Sequence, residues 1–167
     1  MSEPLNRRTS EPRYSYRNLA LWQQAQDFAQ DVVELVGQLP SNRSVDQIAR
    51  QLTRAATSIS ANIAEGHGRF GIASYRNHLS IAKGSACEAD SWLDLLRRLG
   101  LIAPAREAEL HDRCSRLIAG LVGRMRDLEQ LASKSTRDES AGYSLDELDG
   151  SSDASGSKVP RFRGSES

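Results

Sequence analysis

Hydrophobic residues recur at alternating spacings of three and four positions through most of the stretch between residues 19 and 131. Because an α-helix has about 3.6 residues per turn, this spacing collects them on one side of a helix. Short breaks that contain proline or glycine divide the pattern into segments. The chain is therefore predicted to be all-α, with four amphipathic helices.

The sequence marks the ends of the first two predicted helices. The first covers residues 19–38 and ends before Pro40, because the residue preceding a proline disfavours helical backbone angles. Ser44 or Asp46 can cap the second helix, which stops at the glycines of residues 66–68. The residues predicted to face inward are Trp22, Ala29, Val32, Val33, Val36, Val45, Ile48, Leu52, Ala55, Ile59 and Ile63.

The third predicted helix covers residues 72–99 and is closed by Gly100, and Pro104 opens the fourth at a first-turn position. Short connections between long helices favour an up-down-up-down antiparallel four-helix bundle. The inward residues predicted for these two helices are Tyr75, Leu79, Ala82, Ala86, Ala89, Leu93, Leu96, Leu110, Cys114, Leu117, Leu121, Leu128 and Leu131.

Composition divides the chain into three parts. Residues 1–17 are polar and are predicted to be a flexible N-terminal arm, and residues 18–132 hold the four-helix bundle. Residues 133–167 are rich in Ser, Gly and acidic residues and have few large apolar ones. Such a stretch buries too little apolar surface to offset the entropy cost of ordering it, so a disordered tail is predicted.

Length and charge are compatible with one cytoplasmic domain. The chain has 167 residues, and its 22 basic side chains balance 22 acidic ones. No apolar run approaches the roughly 18 residues needed to span a bilayer, and the N-terminus lacks the apolar centre of a signal peptide. Cys87 and Cys114 lack metal-ligand spacing and are predicted to be buried thiols.

Catalytic chemistry is not indicated. His67, His78 and His111 lie on separate segments, none beside a nucleophile or in a metal-binding pair. Glu65 and Glu88 lack the histidine three positions later that di-metal bundles use. The chain is predicted not to be an enzyme and to have no catalytic residue, metal or cofactor. A structural polar core is predicted instead, made of Asn62, Glu65, Arg54, Arg69 and Glu88.

Four segments carry a resemblance to a known family: LWQQA at 21–25, QLTRAATSI at 51–59, NIAEGHGR at 62–69 and IAKGSACE at 81–88. They resemble the four helix bundle protein family, which is found in intervening sequences of bacterial 23S ribosomal RNA genes. That family is distantly related to the accessory variability determinant proteins of diversity-generating retroelements. The resemblance implies a four-helix bundle in a nucleic-acid setting. For the retroelement relatives it also implies a pentameric ring and a reverse transcriptase as partner.

The third and fourth helices carry more apolar surface than one bundle needs. A second apolar stripe on each helix predicts a homo-oligomer, with a pentamer favoured by the resemblance. The alternative is that a wide apolar arc reflects deep burial within a single bundle. The predicted interface residues are Ile81, Trp92, Leu95, Leu99, Val122 and Met125.

Arginines on the fourth helix are the predicted contact to RNA or DNA. At about 100° per residue they share a sector of roughly 80°, and guanidinium groups suit phosphate recognition. Glu109 and Asp127 share that sector and reduce its charge. The predicted nucleic-acid-binding residues are Arg106, Arg113, Arg116 and Arg124.

The sequence thus predicts a non-catalytic, homo-oligomeric four-helix bundle that acts as a nucleic-acid-associated accessory or scaffold protein. The alternative from another class is a protein-protein interaction module with no nucleic-acid binding. A di-metal or nucleotide enzyme is disfavoured because the ligand patterns are missing.

Overall fold

The predicted all-α fold is confirmed. A computed structural model of the protein describes residues 15–146, with side chains described for residues 15–134. A short 3-10 turn at Tyr16–Asn18 precedes the first long helix. The four long helices are α1 at Ala20–Val36, α2 at Arg43–Gly68, α3 at Ile72–Arg98 and α4 at Pro104–Asp146.

Helix α2 begins at Arg43, before either of the two predicted caps. Asn42 is the N-cap, and its side chain accepts hydrogen bonds from the backbone N–H groups of Ser44 (3.1 Å) and Val45 (3.0 Å). Because Asn42 has extended backbone angles, its side-chain oxygen can reach these otherwise unpaired N–H groups. The prediction of Ser44 or Asp46 as the cap is wrong, since both residues lie inside the first turn.

Two glycines mark the ends of α3 through their backbone angles. Gly71, just before the helix, has a φ of 97°, and Gly100, just after it, has a φ of 68°. Side chains other than that of glycine are strained at such angles. The helix stop predicted at Gly100 therefore coincides with a turn that requires glycine.

Cross-helix contacts show that neighbouring helices are antiparallel. On α2 and α3, Arg54 lies near Glu88 whereas Glu65 lies near His78, so the sequence rises along one helix as it falls along the other. Three further contacts give the same result for α3 with α4 and place α1 beside α4. They are Arg76 with Glu129, Arg97 with Glu107, and Asp31 with Arg113. The helices follow one another around the bundle in an up-down-up-down arrangement.

The hydrophobic core contains residues from all four helices. All seven inward residues predicted for α3 are buried. On α1 the prediction was partly wrong, because Val33 is exposed whereas Ala25, Phe28 and Leu35 are buried. Leu131 on α4 is also exposed. On α1 the buried residues Ala25, Phe28, Val32 and Leu35 follow spacings of three and four, whereas Val33 points about 100° away from Val32.

Helix α4 continues beyond the predicted start of the tail. The structure extends it through Asp146, whereas disorder was predicted from Ser133 onward. The compact unit that holds the bundle ends at Ala132. The remainder of the predicted tail, 147–167, and residues 1–14 of the predicted arm lie outside the described residues.

A glycine on α2 allows close contact with α3. A Cβ added at Gly66 would lie 2.7 Å from the Cβ of His78 and 2.8 Å from Cδ2 of Tyr75, whereas one added at Gly84 would meet open space. Gly66 therefore has a packing role at the end of the α2–α3 contact. Gly84, in the middle of α3, has none within the bundle.

None of the helices among the described residues combines the length and apolar character that crossing a membrane requires.

Candidate nucleic-acid and self-association surfaces

The predicted nucleic-acid residues Arg106, Arg113, Arg116 and Arg124 form a row along α4, named here the α4 row. Arg106 donates to Glu109 at 2.7 Å, and its guanidinium lies 3.7 Å from Asp31 of α1. Arg113 also bonds Asp31 and lies 3.8 Å from Glu109. Two of the four arginines are therefore held at the contact between α1 and α4.

The rest of the α4 row also has partners within the bundle. Arg116 pairs with Asp112 one turn earlier on the same helix. The guanidinium of Arg124 lies 5.8 Å from the centre of the Tyr75 ring, a cation–π contact. Asp127 lines the same surface groove as Arg124.

Carboxylates neutralise most of the α4 row. The hydrogen bond from Arg106 lowers the pKa of Glu109 below its ordinary value, and the same bond raises the pKa of Arg106. An arginine already paired with a carboxylate gains less from a phosphate, because the first partner must be displaced. Nucleic-acid binding by the α4 row remains a prediction. The ion pairs of Arg106 and Arg113 with Asp31 favour a role in joining α4 to α1.

The apolar stripe of α3 borders α2 and faces outward. We call Ile81, Trp92, Leu95 and Leu99 the outer strip. Ile81 and Leu99 are 46% and 54% exposed, whereas Trp92 packs partly against the core. Ser85, on the same side of α3, shares a 2.9 Å hydrogen bond with Ser58 of α2.

The other two predicted interface residues lie on a different surface. Val122 and Met125 share a side of α4 with His111 and Glu129, whose partners belong to α3. That side of α4 lies beside one flank of α3, and α2 lies beside the opposite flank. The six predicted residues therefore do not form one continuous surface. The outer strip holds four of them, including the two that are about half exposed, Ile81 and Leu99.

The residues of the predicted polar core lie at the surface. Arg69 donates to Glu65 at 2.5 Å, and Arg54 lies 3.8 Å from Glu88, so the predicted partners do meet. All four side chains are nevertheless well exposed, and the prediction of a buried network is wrong. Long side chains reach solvent even when their Cα atoms lie near an inward stripe.

Asn62 is the partly buried member of that set. Its side-chain amide donates to the backbone oxygen of Ser58 at 2.8 Å and to the Ser58 hydroxyl at 3.0 Å. The Ser58 hydroxyl also contacts Ser85 of α3. Asn62 thus orients a polar contact between α2 and α3.

His78 and Glu65 form a second contact between these helices. Nε2 of His78 lies 4.0 Å from the Glu65 carboxylate, and the Nδ1 atom of His78 is buried without a hydrogen-bond partner. The pKa of Glu65 is lowered first by the hydrogen bond from Arg69 and then by the charge of His78. Among the described residues, no three His, Cys, Asp or Glu side chains are placed to hold a metal ion.

The two cysteines differ in burial. Cys114 is buried and contacts the backbone oxygen of Ala86 at 3.1 Å, and burial raises the pKa of its thiol to about 12. Cys87 is exposed, contrary to prediction. It lies one position beyond Ala86, and successive helical residues point about 100° apart.

His111 of α4 is joined to Asp90 of α3 by a 2.7 Å contact. The hydrogen bond with Asp90, followed by the charge of that carboxylate, raises the pKa of His111 above its ordinary value. The contact therefore stabilises the fold fully below the unfolded-state pKa of about 6.5. This contribution disappears as the pH rises through the raised pKa of the folded state.

We expect His111→Gln to lower the free energy of unfolding at pH 5 by less than about 1 kcal/mol, because the pair is partly exposed to solvent. At pH 9 the same change should have a smaller effect. Urea unfolding of both proteins at the two pH values measures the difference. An equal loss at pH 5 and pH 9 would show that protonation of His111 contributes nothing.

A group of arginines on α2 was missed as a possible binding surface. Arg43, Arg50 and Arg54 are exposed and follow one another at spacings of seven and four. This spacing places them on one side of α2. The same periodicity that identified the α4 row was available in the sequence for these three residues.

Two comparisons relate the chain to known proteins. A family model described as 23S rRNA-intervening sequence protein matches residues 17–123. A crystal structure of a protein with unknown function from the S23 ribosomal protein family of Bacteroides thetaiotaomicron has a TM-score of 0.60 and 27% sequence identity to this chain. The match covers 63% of this chain and 97% of that one. No curated protein matches the chain.

Proposed function

We infer the function from the family: the chain belongs to the 23S rRNA-intervening sequence protein family, as its sequence predicted. We propose that it is a non-catalytic bundle that assembles with copies of itself and acts as an accessory or scaffold protein at nucleic acid. The family name supports the ribosomal RNA setting. The outer strip supports self-association.

The outer strip is the observation that carries the proposal. Ile81 and Leu99 are large hydrophobic residues, each about half exposed, and both lie on the outward side of one helix. Trp92 and Leu95 lie between them along the same side and are only partly covered by the bundle. Covering such a strip with a second copy removes apolar surface from water, which is the main driving force for association.

Light scattering of the full chain tests this proposal. The wild type should give the mass of an oligomer at micromolar concentration. The double variant Ile81→Glu/Leu99→Glu should give a single-chain mass, because an unpaired charge in an apolar interface is strongly disfavoured. Val33→Glu is the matched control, since Val33 is exposed to a similar degree on α1, away from the strip.

Circular dichroism should show that all three proteins remain helical. A wild-type mass equal to one chain would overturn self-association. If the double variant and the Val33 control dissociate to the same extent, the interface is not specific to the outer strip.

The pairing of the α4 row favours a second candidate function, a protein-protein interaction module without nucleic-acid binding. Asp31, Glu109 and Asp112 occupy three of its four arginines. On this alternative the arginines only stabilise the bundle, and a protein partner covers the outer strip. Failure of the wild type to bind RNA or DNA at low salt would select this alternative.

A further inference from the structure

The arginines of the N-terminal half of α2, Arg43, Arg50 and Arg54, are named here the α2 row. At about 100° per residue they fall within a sector of roughly 40°. The buried residues Leu52, Ile59 and Ile63 occupy the opposite side of α2, so this sector faces away from the core. The α2 row therefore presents its guanidinium groups to solvent.

The charge around the α2 row differs from that around the α4 row. Within the described part of the chain, Arg54 is the one member of the α2 row that has an ion pair. Its guanidinium lies 3.8 Å from the Glu88 carboxylate, and its side chain is still 74% exposed. Arg43 and Arg50 have no ion pair within the part of the chain that the structure describes. Asp46 lines the same groove as Arg50 and Arg54. Two carboxylates, those of Asp46 and Glu88, thus lie near three arginines, and net positive charge remains on this face, whereas three of the four arginines of the α4 row are paired with carboxylates.

The length of the α2 row suits a polyanion. With a rise of about 1.5 Å per residue, Arg43 and Arg50 lie about 10 Å apart along the axis, and Arg54 lies about 6 Å further on. Over these roughly 16 Å, each strand of a duplex carries about five phosphates. Three arginines on one side of a straight helix can thus contact separate phosphates of one strand.

We propose that the α2 row is a binding site for the phosphodiester backbone of RNA or DNA. This inference rests on the proposed association with nucleic acid and names the site for it. Guanidinium groups form paired hydrogen bonds with phosphate oxygens. Contacts of this kind position a nucleic acid without reading its bases, so binding at the α2 row has little sequence preference.

Fluorescence anisotropy with a labelled 20-nucleotide mixed-sequence RNA, and with DNA of the same sequence, tests the site over a range of salt concentrations. The variant Arg50→Gln/Arg54→Gln should weaken binding roughly tenfold at low salt, since two charge-assisted contacts are lost. The slope of log affinity against log salt should fall by about 1.4, or about 0.7 for each lost contact to a single strand. The matched control is Arg113→Gln/Arg116→Gln on α4, which should retain affinity and slope.

The outcomes separate this site from the broader proposal. If the wild type binds neither RNA nor DNA at low salt, nucleic-acid association and the α2 site both fail. If the wild type binds and the α2 variant retains its affinity and salt slope, the α2 site alone is wrong. The site is also overturned if the α4 control loses as much affinity as the α2 variant. Tighter wild-type binding of RNA than of DNA, lost in the α2 variant, supports the site and identifies RNA as its ligand.

Helicity and mass provide the structural controls. Both pairs of arginines lie at or near the surface, so circular dichroism and light scattering should be the same for the two variants and the wild type. A change in mass restricted to the α2 variant would count against the site, because lost binding would then follow from altered assembly.

Discussion

Replacing Phe28 with alanine should lower the free energy of unfolding by about 3–5 kcal/mol. Phe28 is fully buried on α1 and belongs to the core that joins all four helices. Its removal loses the transfer free energy of the ring and leaves a cavity that the helices close only in part. Urea unfolding monitored by circular dichroism measures the change.

Phe70→Ala is the matched control for this prediction. Phe70 lies in the connection between α2 and α3 and is fully exposed, so its replacement should alter the free energy of unfolding by less than about 0.5 kcal/mol. Similar losses for the two variants would contradict the placement of Phe28 in the core and the exposure of Phe70.

The second large effect is expected at Gly66. Gly66→Ala should destabilise the protein by about 1–3 kcal/mol, because the new methyl group would overlap His78 and Tyr75 of α3. The opposing gain in helix propensity is at most about 1 kcal/mol. Thermal and urea unfolding of the variant measure the net change.

Gly84→Ala separates packing from helix propensity. A methyl group at Gly84 meets no atom within 4 Å, and the residue lies in the middle of α3. Alanine should therefore stabilise the bundle by about 0.5–1 kcal/mol. Opposite signs for the two glycine variants are the expected result. Stabilisation by both would mean that the α2–α3 contact at Gly66 is looser than the structure shows.

The sequence predicted α3 best, although that helix also carries the outer strip, because its seven inward residues keep the three-and-four spacing without a gap. Its seven buried residues follow from spacing alone. On α1, Phe28 is buried and Val33 is exposed. Phe28 follows Ala25 by three positions and precedes Val32 by four, so the helical spacing that includes it was present in the sequence and was missed by the prediction.

The candidate surfaces were harder to predict than the fold. Arg113 appeared to be one of a row of cations, but its partner Asp31 belongs to another helix, 82 positions away in the sequence. Val122 and the outer strip were predicted as one set of interface residues, and the rotation of each helix places them on different sides of α3. Both findings concern relations between helices, which the pattern within one helix does not specify.

The contact between α1 and α4 joins the first and last long helices of the bundle, and this affects the order of folding. Ser58 and Ser85, which join α2 and α3, are only 27 positions apart, whereas Asp31 and Arg113 are 82 apart. The entropy cost of closing a loop rises with its length, so contacts between helices that are neighbours in the sequence, such as α2 with α3, have the advantage in forming before the α1–α4 contact. We therefore expect changes at contacts between such neighbouring helices to slow folding, and changes at the α1–α4 contact mainly to speed unfolding.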